Sequence, residues 1–194
     1  MMFDLWNKAK SVWRDEILDE ENYIIGYINI NNITENKIEM DKFKETEIIG
    51  REYCIDWLKA INATDIKFTE DRYDVVDVCF NYAGKSIAAE IKVRDEKYRK
   101  YTTHFMELSK YINVTNYVDT NDKDGALYMN FFGENWLYIY KVNQINTNSI
   151  KNWDLVRTTA EDRGTRMKEI IEIPTNIAQI YHRLNKESKW KRVQ

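Results

Sequence analysis

The sequence has few residues that break regular structure, with one proline and six glycines among 194 residues. It is rich in aromatic side chains, with thirteen tyrosines, seven phenylalanines and six tryptophans. This composition favours a compact, ordered core, and no segment has the composition of a flexible linker. We therefore predict a single domain over residues 1–194.

Cysteine and histidine are also scarce, with two of each: Cys54, Cys79, His104 and His182. Two thiols are too few for a disulfide framework or a zinc cluster, and their apolar neighbours predict buried free cysteines. The histidines lie outside any metal-binding spacing and are expected to be ordinary helix residues. Catalysis by a Ser or Cys nucleophile would need one of them nearby.

Long apolar segments are missing as well. No run of about 18 apolar residues occurs, and the first residues lack the apolar segment of a signal peptide. This pattern predicts no membrane partner and a cytoplasmic location. If a phage encodes the protein, that location is the host cytoplasm.

The charge is unevenly distributed along the chain. Acidic side chains outnumber basic ones up to residue 90, and basic side chains outnumber acidic ones after it. The basic excess begins with a cluster that two tyrosines interrupt: Lys92, Arg94, Lys97, Arg99 and Lys100. Such a cluster can contact phosphate groups, although a solvated surface gives the same pattern.

Apolar periodicity predicts an order of helices and strands that is typical of an α/β sandwich. The predicted helices cover about 5–17, 41–62, 103–111 and 177–184. The predicted strands cover about 23–30, 66–69, 75–80, 86–94, 126–132, 136–140 and 170–173, with a loop at 158–166.

The strands at 75–80 and 86–94 form a predicted hairpin that has charged residues among apolar ones. If Ala83 and Gly84 form a two-residue turn, Tyr82 faces Lys85 and the same register places Asp77 across from Glu90. Their Cβ atoms would then be about 5 Å apart.

Two carboxylates at that distance repel each other unless a cation lies between them, which predicts a Mg²⁺ or Mn²⁺ site. Lys92 shares the face of Glu90 and could hold a phosphate oxygen. Asp74 has the opposite parity to Asp77 and is an alternative ligand only if the loop has an odd length or a bulge intervenes. The competing interpretation is an exposed hairpin face with an ion pair between Lys92 and one of the acids.

The long helix at 41–62 offers a further carboxylate. Glu47 follows Phe43 by four residues and precedes Gly50 by three, so it falls on the apolar stripe. A buried carboxylate needs a partner, and Glu47 could approach the cation. Alternatively, it lies at the edge of the stripe and reaches solvent.

A helical Glu, a strand Asp and the triplet Glu90-Ile91-Lys92 in the next strand resemble the PD-(D/E)XK nuclease superfamily. That superfamily includes Holliday-junction resolvases and many type II restriction enzymes. Val76 stands where the pattern has proline. The resemblance covers about 41–140, as a nuclease-like core between an N-terminal extension, 1–40, and a C-terminal extension, 141–194. It implies a restriction-endonuclease-like sandwich, in which helices flank a central mixed sheet, with an added N-terminal helix and strand.

The resemblance also implies a function, a Mg²⁺- or Mn²⁺-dependent deoxyribonuclease. Asp77 and Glu90 would bind the metal, with Glu47 and the carbonyl of Ile91 as further ligands, and Lys92 would position water or the scissile phosphate. The residues expected to contact DNA are Arg94, Lys97, Arg99, Lys100 and Lys110. For Lys110, an ion pair with Glu107 three residues earlier is the competing interpretation.

Two alternatives remain open at this point. One is a noncatalytic DNA- or protein-binding module on the same fold, for example a phage assembly or virion protein. Whichever function holds, a homodimer is one arrangement that the sequence leaves open. The other is a chance resemblance in an ordinary α/β domain. The small size and the richness in Lys, Asn and Ile suit a phage or mobile element of an AT-rich host.

Overall fold

The computed structural model describes residues 42–70, 74–157 and 165–194. These residues belong to one compact unit, Glu39–Gln194. The helix and strand predicted within residues 1–40 lie outside the described residues, and so does most of the loop predicted at 158–166. The assignment of the whole chain to a single domain therefore stays a prediction.

The described residues form two α-helices and ten β-strands. In chain order they are α1 Lys42–Ala60, β1 Thr64–Phe68, β2 Val78–Tyr82, β3 Lys85–Arg94, β4 Thr103–Glu107, α2 Leu108–Thr120, β5 Gly125–Phe132, β6 Trp136–Lys141, β7 Ile150–Arg157, β8 Thr165–Pro174, β9 Gln179–His182 and β10 Lys191–Arg192.

The strands form two sheets. The larger sheet has the order β1-β2-β3-β5-β6-β9-β10, and the smaller has the order β4-β8-β7. Strands β3 and β5 are parallel, which requires the crossover that β4 and α2 provide, and the other neighbours in the large sheet are antiparallel. The predicted α/β fold with a central mixed sheet is confirmed.

Helix α1 covers one face of the large sheet. Its residues Cys54, Trp57 and Leu58 are at most 4% exposed and pack in a cluster with apolar residues of β2, β3, β5 and β6. Gly50 permits a close approach to β3, because a Cβ there would lie 3.0 Å from Val93 Cγ2. The helix and the sheet are therefore in direct contact at this point.

Helix α2 and the small sheet cover the opposite face. Val114 of α2 and Ile171 of β8 are fully buried in a cluster with Ala88 of β3 and Tyr128 of β5. The large sheet therefore lies between α1 on one side and α2 with the small sheet on the other. The predicted flanking helices are confirmed.

The predicted helix at 103–111 is wrong in its first half. Residues Thr103–Glu107 form β4, and the helix covers Leu108–Thr120. His104 and Met106 are buried and alternate with more exposed neighbours, as expected for a strand with one buried face. Its partner is β8, more than sixty residues later in the chain. Periodicity over so few residues cannot reveal that pairing.

The predicted final helix at 177–184 is also wrong. A short 3-10 helix, Thr175–Ile177, is followed by β9, in which Ile180 is buried. Strand β9 fills the gap between β6 and β10. His104 and His182 are consequently strand residues and not helix residues. Both cysteines are free as predicted, but only Cys54 is buried, since Cys79 is half-buried.

Candidate active site

The β2–β3 hairpin determines which residues of the two strands face each other. Ala83 and Gly84 form the two-residue turn with φ of 51° and 74°, the left-handed values that a type I′ turn requires. Tyr82 pairs with Lys85, as predicted. The regular register ends there, because Asp77 N donates to the carbonyl of Ala89, the partner of Val78, at 2.9 Å.

The charged residues lie where the regular pairing of the hairpin ends. Asp77 comes one residue before the last pair, Val78 with Ala89, and its carboxylate is close enough to Glu90 for the two charges to interact. Glu90 lies on the face of β3 that α2 covers, where Lys110 contacts it. Lys92 lies two residues further along β3 on the same face. On the α1 side, Val78 and Ala89 are fully buried in the apolar cluster.

Asp77 is held against the neighbouring strand by its backbone. Its Oδ2 accepts a hydrogen bond from the amide of Ile91 at 2.6 Å. Burial, followed by the negative charge of Glu90, raises the pKa of Asp77 to about 6, although the Ile91 hydrogen bond and the charges of Lys92 and Lys110 oppose this rise. Because the negative charge of Glu90 repels an ionised Asp77, Asp77 gives up its proton less readily.

Glu90 is almost completely buried, with 1% of its side chain exposed, and two lysines approach it. Lys92 Nζ lies 2.9 Å from Oε1. Lys110 Nζ lies 3.3 Å from Oε1 and 3.3 Å from Oε2. A buried carboxylate is tolerated only with such partners, so α2 contributes directly to the site through Lys110.

Lys92 keeps its charge in this environment. Burial lowers its pKa, but the carboxylate of Glu90, with smaller contributions from Tyr128 and Asp77, outweighs that effect and holds the pKa above its ordinary value. The side chain is 39% exposed. A permanent positive charge therefore lies beside Glu90 and still reaches solvent.

Lys110 was predicted to contact DNA or to pair with Glu107 of its own helix. Glu107 instead binds Lys168 of β8, whose Nζ lies 2.9 Å from each carboxylate oxygen. The predicted pair between Lys110 and Glu107 is therefore wrong. Lys110 bonds to Glu90, and its role at DNA stays a prediction.

Glu47 does not occupy the buried stripe, so this part of the prediction is wrong. Its side chain is 42% exposed, and Oε1 accepts a hydrogen bond from Arg51 NH2 at 2.8 Å. Residues 45–48 are all exposed, because the first turns of α1 extend beyond the packed part of the helix. Glu47 therefore fits the alternative, a stripe residue whose carboxylate reaches solvent.

Asp74 was the alternative ligand. It lies in the irregular segment before β2 and is half-buried. Its charge contributes to raising the pKa of Tyr117 on α2 to about 12, although the first cause of that shift is the hydrogen bond with Cys79. The carboxylate of Asp77 bonds to the amide of Ile91, next to Glu90, and the preference for Asp77 over Asp74 stays a prediction.

The basic residues after Lys92 divide into two kinds. Arg94 is half-buried and donates to Asn130 Oδ1 at 2.6 Å, to the carbonyl of Phe105 at 2.8 Å and to Tyr128 Oη at 2.7 Å. Arg99 stacks 4.1 Å from the ring of Trp136. Arg94 and Arg99 are thus bound within the fold.

The other two residues of this run face solvent. Lys97 is 61% exposed and pairs with Asp95 at 3.0 Å. Lys100 is exposed at the end of the short 3-10 helix Glu96–Lys100. Their contact with DNA stays a prediction.

Two residues of the site were missed in the sequence, Tyr128 and Asn130 of β5. In the parallel pairing, Tyr128 lies beside Glu90 and Asn130 beside Lys92. Both are buried and bind Arg94. A polar residue within the apolar run of β5 was the available signal, but its partner strand could not be identified from sequence alone.

The donor set can be compared with the requirements of a divalent cation. Across the described ranges, no group of three or more His, Cys, Asp or Glu side chains has an arrangement that could hold a metal ion. Mg²⁺, however, often binds proteins through one or two carboxylates, with water and substrate phosphate completing its shell. Asp77 and Glu90 fit that smaller requirement, and Glu47 does not contribute to it.

Within the part of the chain that the structure describes, no helix is long and apolar enough to cross a membrane.

No protein-family model matches the sequence, and no curated protein matches it. Among solved structures, the chain is similar to Hjc of Archaeoglobus fulgidus, a Holliday junction resolvase from an archaeal hyperthermophile. The identity is 10% and the TM-score is 0.41, over 66% of this chain and 88% of that chain. Similarity at this level assigns no residue a role.

Proposed function

We propose that this protein is a metal-dependent nuclease that hydrolyses phosphodiester bonds in DNA. One observation carries the proposal: the carboxylates of Asp77 and Glu90 are close enough for their charges to interact, with the ammonium groups of Lys92 and Lys110 within 3.3 Å of Glu90. Acidic and basic groups collected at one point are the arrangement that phosphoryl-transfer chemistry needs.

The carboxylates of Asp77 and Glu90 would hold Mg²⁺ or Mn²⁺, because hard oxygen ligands suit these ions. The carbonyl of Ile91 is the proposed additional ligand. When bound, the ion would polarise the phosphate and promote attack by water. The raised pKa of Asp77, about 6 without metal, still leaves this carboxylate mostly ionised at neutral pH.

Lys92 and Lys110 supply the positive charge. In the transition state of phosphodiester hydrolysis, negative charge grows on the phosphate oxygens, and preorganised cations stabilise it. The raised pKa of Lys92 means that it stays protonated at any pH at which the protein would work. We propose that Lys92 contacts the scissile phosphate and that Lys110 stabilises the same negative charge from the side of α2.

The DNA backbone would pass along the exposed end of β3. Lys97 and Lys100 are the exposed cations of the basic run and would contact phosphates. Arg94 and Arg99, which are engaged within the fold, would shape this surface. A cytoplasmic location and a phage or mobile-element origin remain predictions from the sequence.

Incubation with DNA in Mg²⁺ or Mn²⁺ tests the proposal directly. Supercoiled plasmid, linear duplex, single-stranded and branched DNA would be compared, with EDTA as the metal-free control. We expect cleavage that EDTA abolishes and that Asp77→Asn, Glu90→Ala and Lys92→Ala each reduce by at least about a hundredfold.

Two substitutions serve as matched controls. Asp119→Asn removes an exposed carboxylate from α2, and Lys141→Met removes an exposed lysine at the end of β6. Both should leave cleavage unchanged. Cleavage that survives both Glu90→Ala and Lys92→Ala would refute the assigned site.

A noncatalytic binding module is the second candidate, and the two lysines at Glu90 favour it. With Lys92 and Lys110 in contact, Glu90 is neutralised without any metal, so the cluster can be explained as a structural ion-pair network. Binding to DNA without cleavage of any of the four substrates would support this module. It could then act in a phage particle or another assembly.

A further inference from the structure

A cavity of about 530 Å³ lies beside the end of β3 and has no part in the function proposed above. Pockets for small organic ligands have volumes of about 300–1,000 Å³, so the cavity is large enough for a nucleobase. Its lining residues come from β3, the short 3-10 helix, the two residues after that helix, β4 and β8: Arg94, Tyr98, Tyr101, Thr102, Thr103, His104, Phe105 and Glu172.

Three aromatic rings and one guanidinium group dominate this lining. Tyr98 and Tyr101 stack with 5.9 Å between their centroids and 29° between their planes. Both are exposed, at 43% and 54%. The guanidinium of Arg94 lies 4.4 Å from the centroid of Phe105. Flat aromatic and guanidinium surfaces are those on which proteins stack unpaired bases.

The polar groups of the cavity suit a base with its sugar and phosphate. Thr102 and Thr103 are exposed, and their hydroxyls can bind polar atoms at the rim. Lys97 and Lys100 belong to the same short helix as Tyr98 and bring positive charge close to the cavity. The surroundings therefore favour an anionic, aromatic ligand.

Arg94 connects the cavity to the carboxylate site. It follows Lys92 by two residues in β3 and points to the same face. Two strand residues span about 6.6 Å, so the cavity and the carboxylate site share one short stretch of β3. Three hydrogen bonds to Asn130, Tyr128 and Phe105 keep the Arg94 guanidinium in place.

We propose that this cavity binds one unpaired nucleobase of a DNA strand whose backbone passes the Asp77 and Glu90 site. A base inside a duplex is stacked between its neighbours and cannot enter a pocket, so the cavity selects DNA with an unpaired nucleotide, such as a fork, flap or branch. The path of the backbone rests on the proposed nuclease function. The binding of the base does not.

Base binding can be measured without cleavage by working in EDTA. The probe is a forked duplex with 2-aminopurine in its single-stranded arm, and the matched duplex has the same sequence fully paired. We expect the wild type to bind the fork more tightly than the duplex and to quench 2-aminopurine fluorescence. Tyr101→Ala, and the double substitution Tyr98→Ala with Tyr101→Ala, should remove the quenching and weaken fork binding about five- to tenfold, with duplex binding unchanged.

Two controls separate stacking from other effects. Tyr101→Phe keeps the ring and should retain the quenching. Tyr82→Ala removes a tyrosine of similar exposure, 46%, at the turn between β2 and β3 and should have no effect. Thermal unfolding shows whether each variant is folded. Deoxyadenosine monophosphate as a competitor distinguishes a pocket for free nucleotides from one that needs a strand. Strong competition at low millimolar concentration would contradict the proposal that the base must belong to a DNA strand.

The outcomes also separate this inference from the nuclease proposal. Quenching that depends on Tyr101 in a protein that cleaves no DNA would support the base pocket and refute the nuclease. Metal-dependent cleavage with equal affinity for fork and duplex would refute the pocket and leave the nuclease intact. Equal losses for fork and duplex in Tyr101→Ala would also overturn the pocket.

Discussion

The two faces of β3 differ in chemistry beyond Ala89, although their residues alternate along the same ten-residue strand. On the α1 face, Val78 and Ala89 are 0% exposed and pack in a continuous apolar cluster. On the α2 face, Glu90 and Lys92 follow the apolar Ala88 and form a charged group, with the carboxylate of Asp77 close by. One face stabilises the hairpin, and the other holds the groups capable of chemistry.

The difference teaches how a small fold supports a buried charge. Apolar packing on the α1 face offsets the cost of removing Glu90 from water, and two lysines reduce that cost further. Because neighbouring residues point to opposite faces, a shift of one residue would exchange the two sets. Moving a charge from one face to the other therefore tests whether the two faces differ in this way.

Ala89→Glu places a carboxylate on the apolar face, one residue before the natural Glu90. Ala89 is fully buried, and no lysine is available to it in the cluster that it joins. An unpaired buried charge costs several kcal/mol, so we expect a loss of more than about 4 kcal/mol and largely unfolded protein. Circular dichroism during urea titration measures this loss.

The control is Lys85→Glu, which adds a carboxylate to an exposed position of the same strand. It should leave the midpoint of unfolding close to that of the wild type. If Ala89→Glu unfolds at nearly the same urea concentration as the control, the two faces are not as different as the structure indicates.

Sequence reasoning succeeded where the determinants are local. The turn at Ala83 and Gly84, together with strict alternation, was sufficient to predict the register from the pair Tyr82–Lys85 to the pair Val78–Ala89. Helix α1, Lys42–Ala60, was predicted within two residues at each end. Neither result depends on a partner distant in the sequence.

It failed where the determinants are distant. Residues 103–107 become a strand because β8 pairs with them, and Lys110 reaches Glu90 because α2 crosses the sheet. Glu47 shares the phase of the apolar stripe but lies where the helix no longer packs. Such positions depend on tertiary contacts that a local pattern does not contain.

The second prediction concerns the pH dependence of Asp77. Its pKa is raised from 3.8 to about 6 in the folded protein. The folded state therefore binds the proton more tightly than the unfolded state does. The stability that this contributes is complete below pH 4 and is lost as the pH rises through 6, to a total of up to about 3 kcal/mol.

His104 opposes this trend, so the wild-type curve alone cannot test it. Burial, followed by the charge of Arg94, lowers the pKa of His104 to about 4, and the stability linked to it is lost as the pH falls from 6.5 to 4. The informative quantity is the difference between the wild type and Asp77→Asn, measured by urea unfolding in EDTA. We expect the wild type to lose stability relative to Asp77→Asn between pH 4 and 7, and a constant difference would contradict the raised pKa.

The third prediction compares a buried ion pair with an exposed one. Lys110→Met leaves the buried Glu90 with Lys92 as its remaining partner, and we expect a loss of about 1–2 kcal/mol. Lys97→Met breaks the pair with Asp95, in which both side chains are more than half exposed. It should not change stability measurably. Equal effects in urea unfolding would mean that burial of Glu90 has no energetic consequence.

The smallest expected effect concerns the turn that assigns the residues to their faces. Ala83 has a φ of 51°, which is unfavourable for alanine, whereas Asn-Gly is the preferred pair in a type I′ turn. Ala83→Asn should therefore stabilise the protein by about 0.5–1 kcal/mol without changing cleavage per folded molecule. Asn62 at the end of α1 has a φ of 56° and is the matched control, because Asn62→Ala reverses the substitution and should destabilise by a similar amount. If both substitutions shift the thermal midpoint in the same direction, the left-handed conformation of Ala83 does not reduce the stability of the hairpin. Strand packing alone must then hold the register.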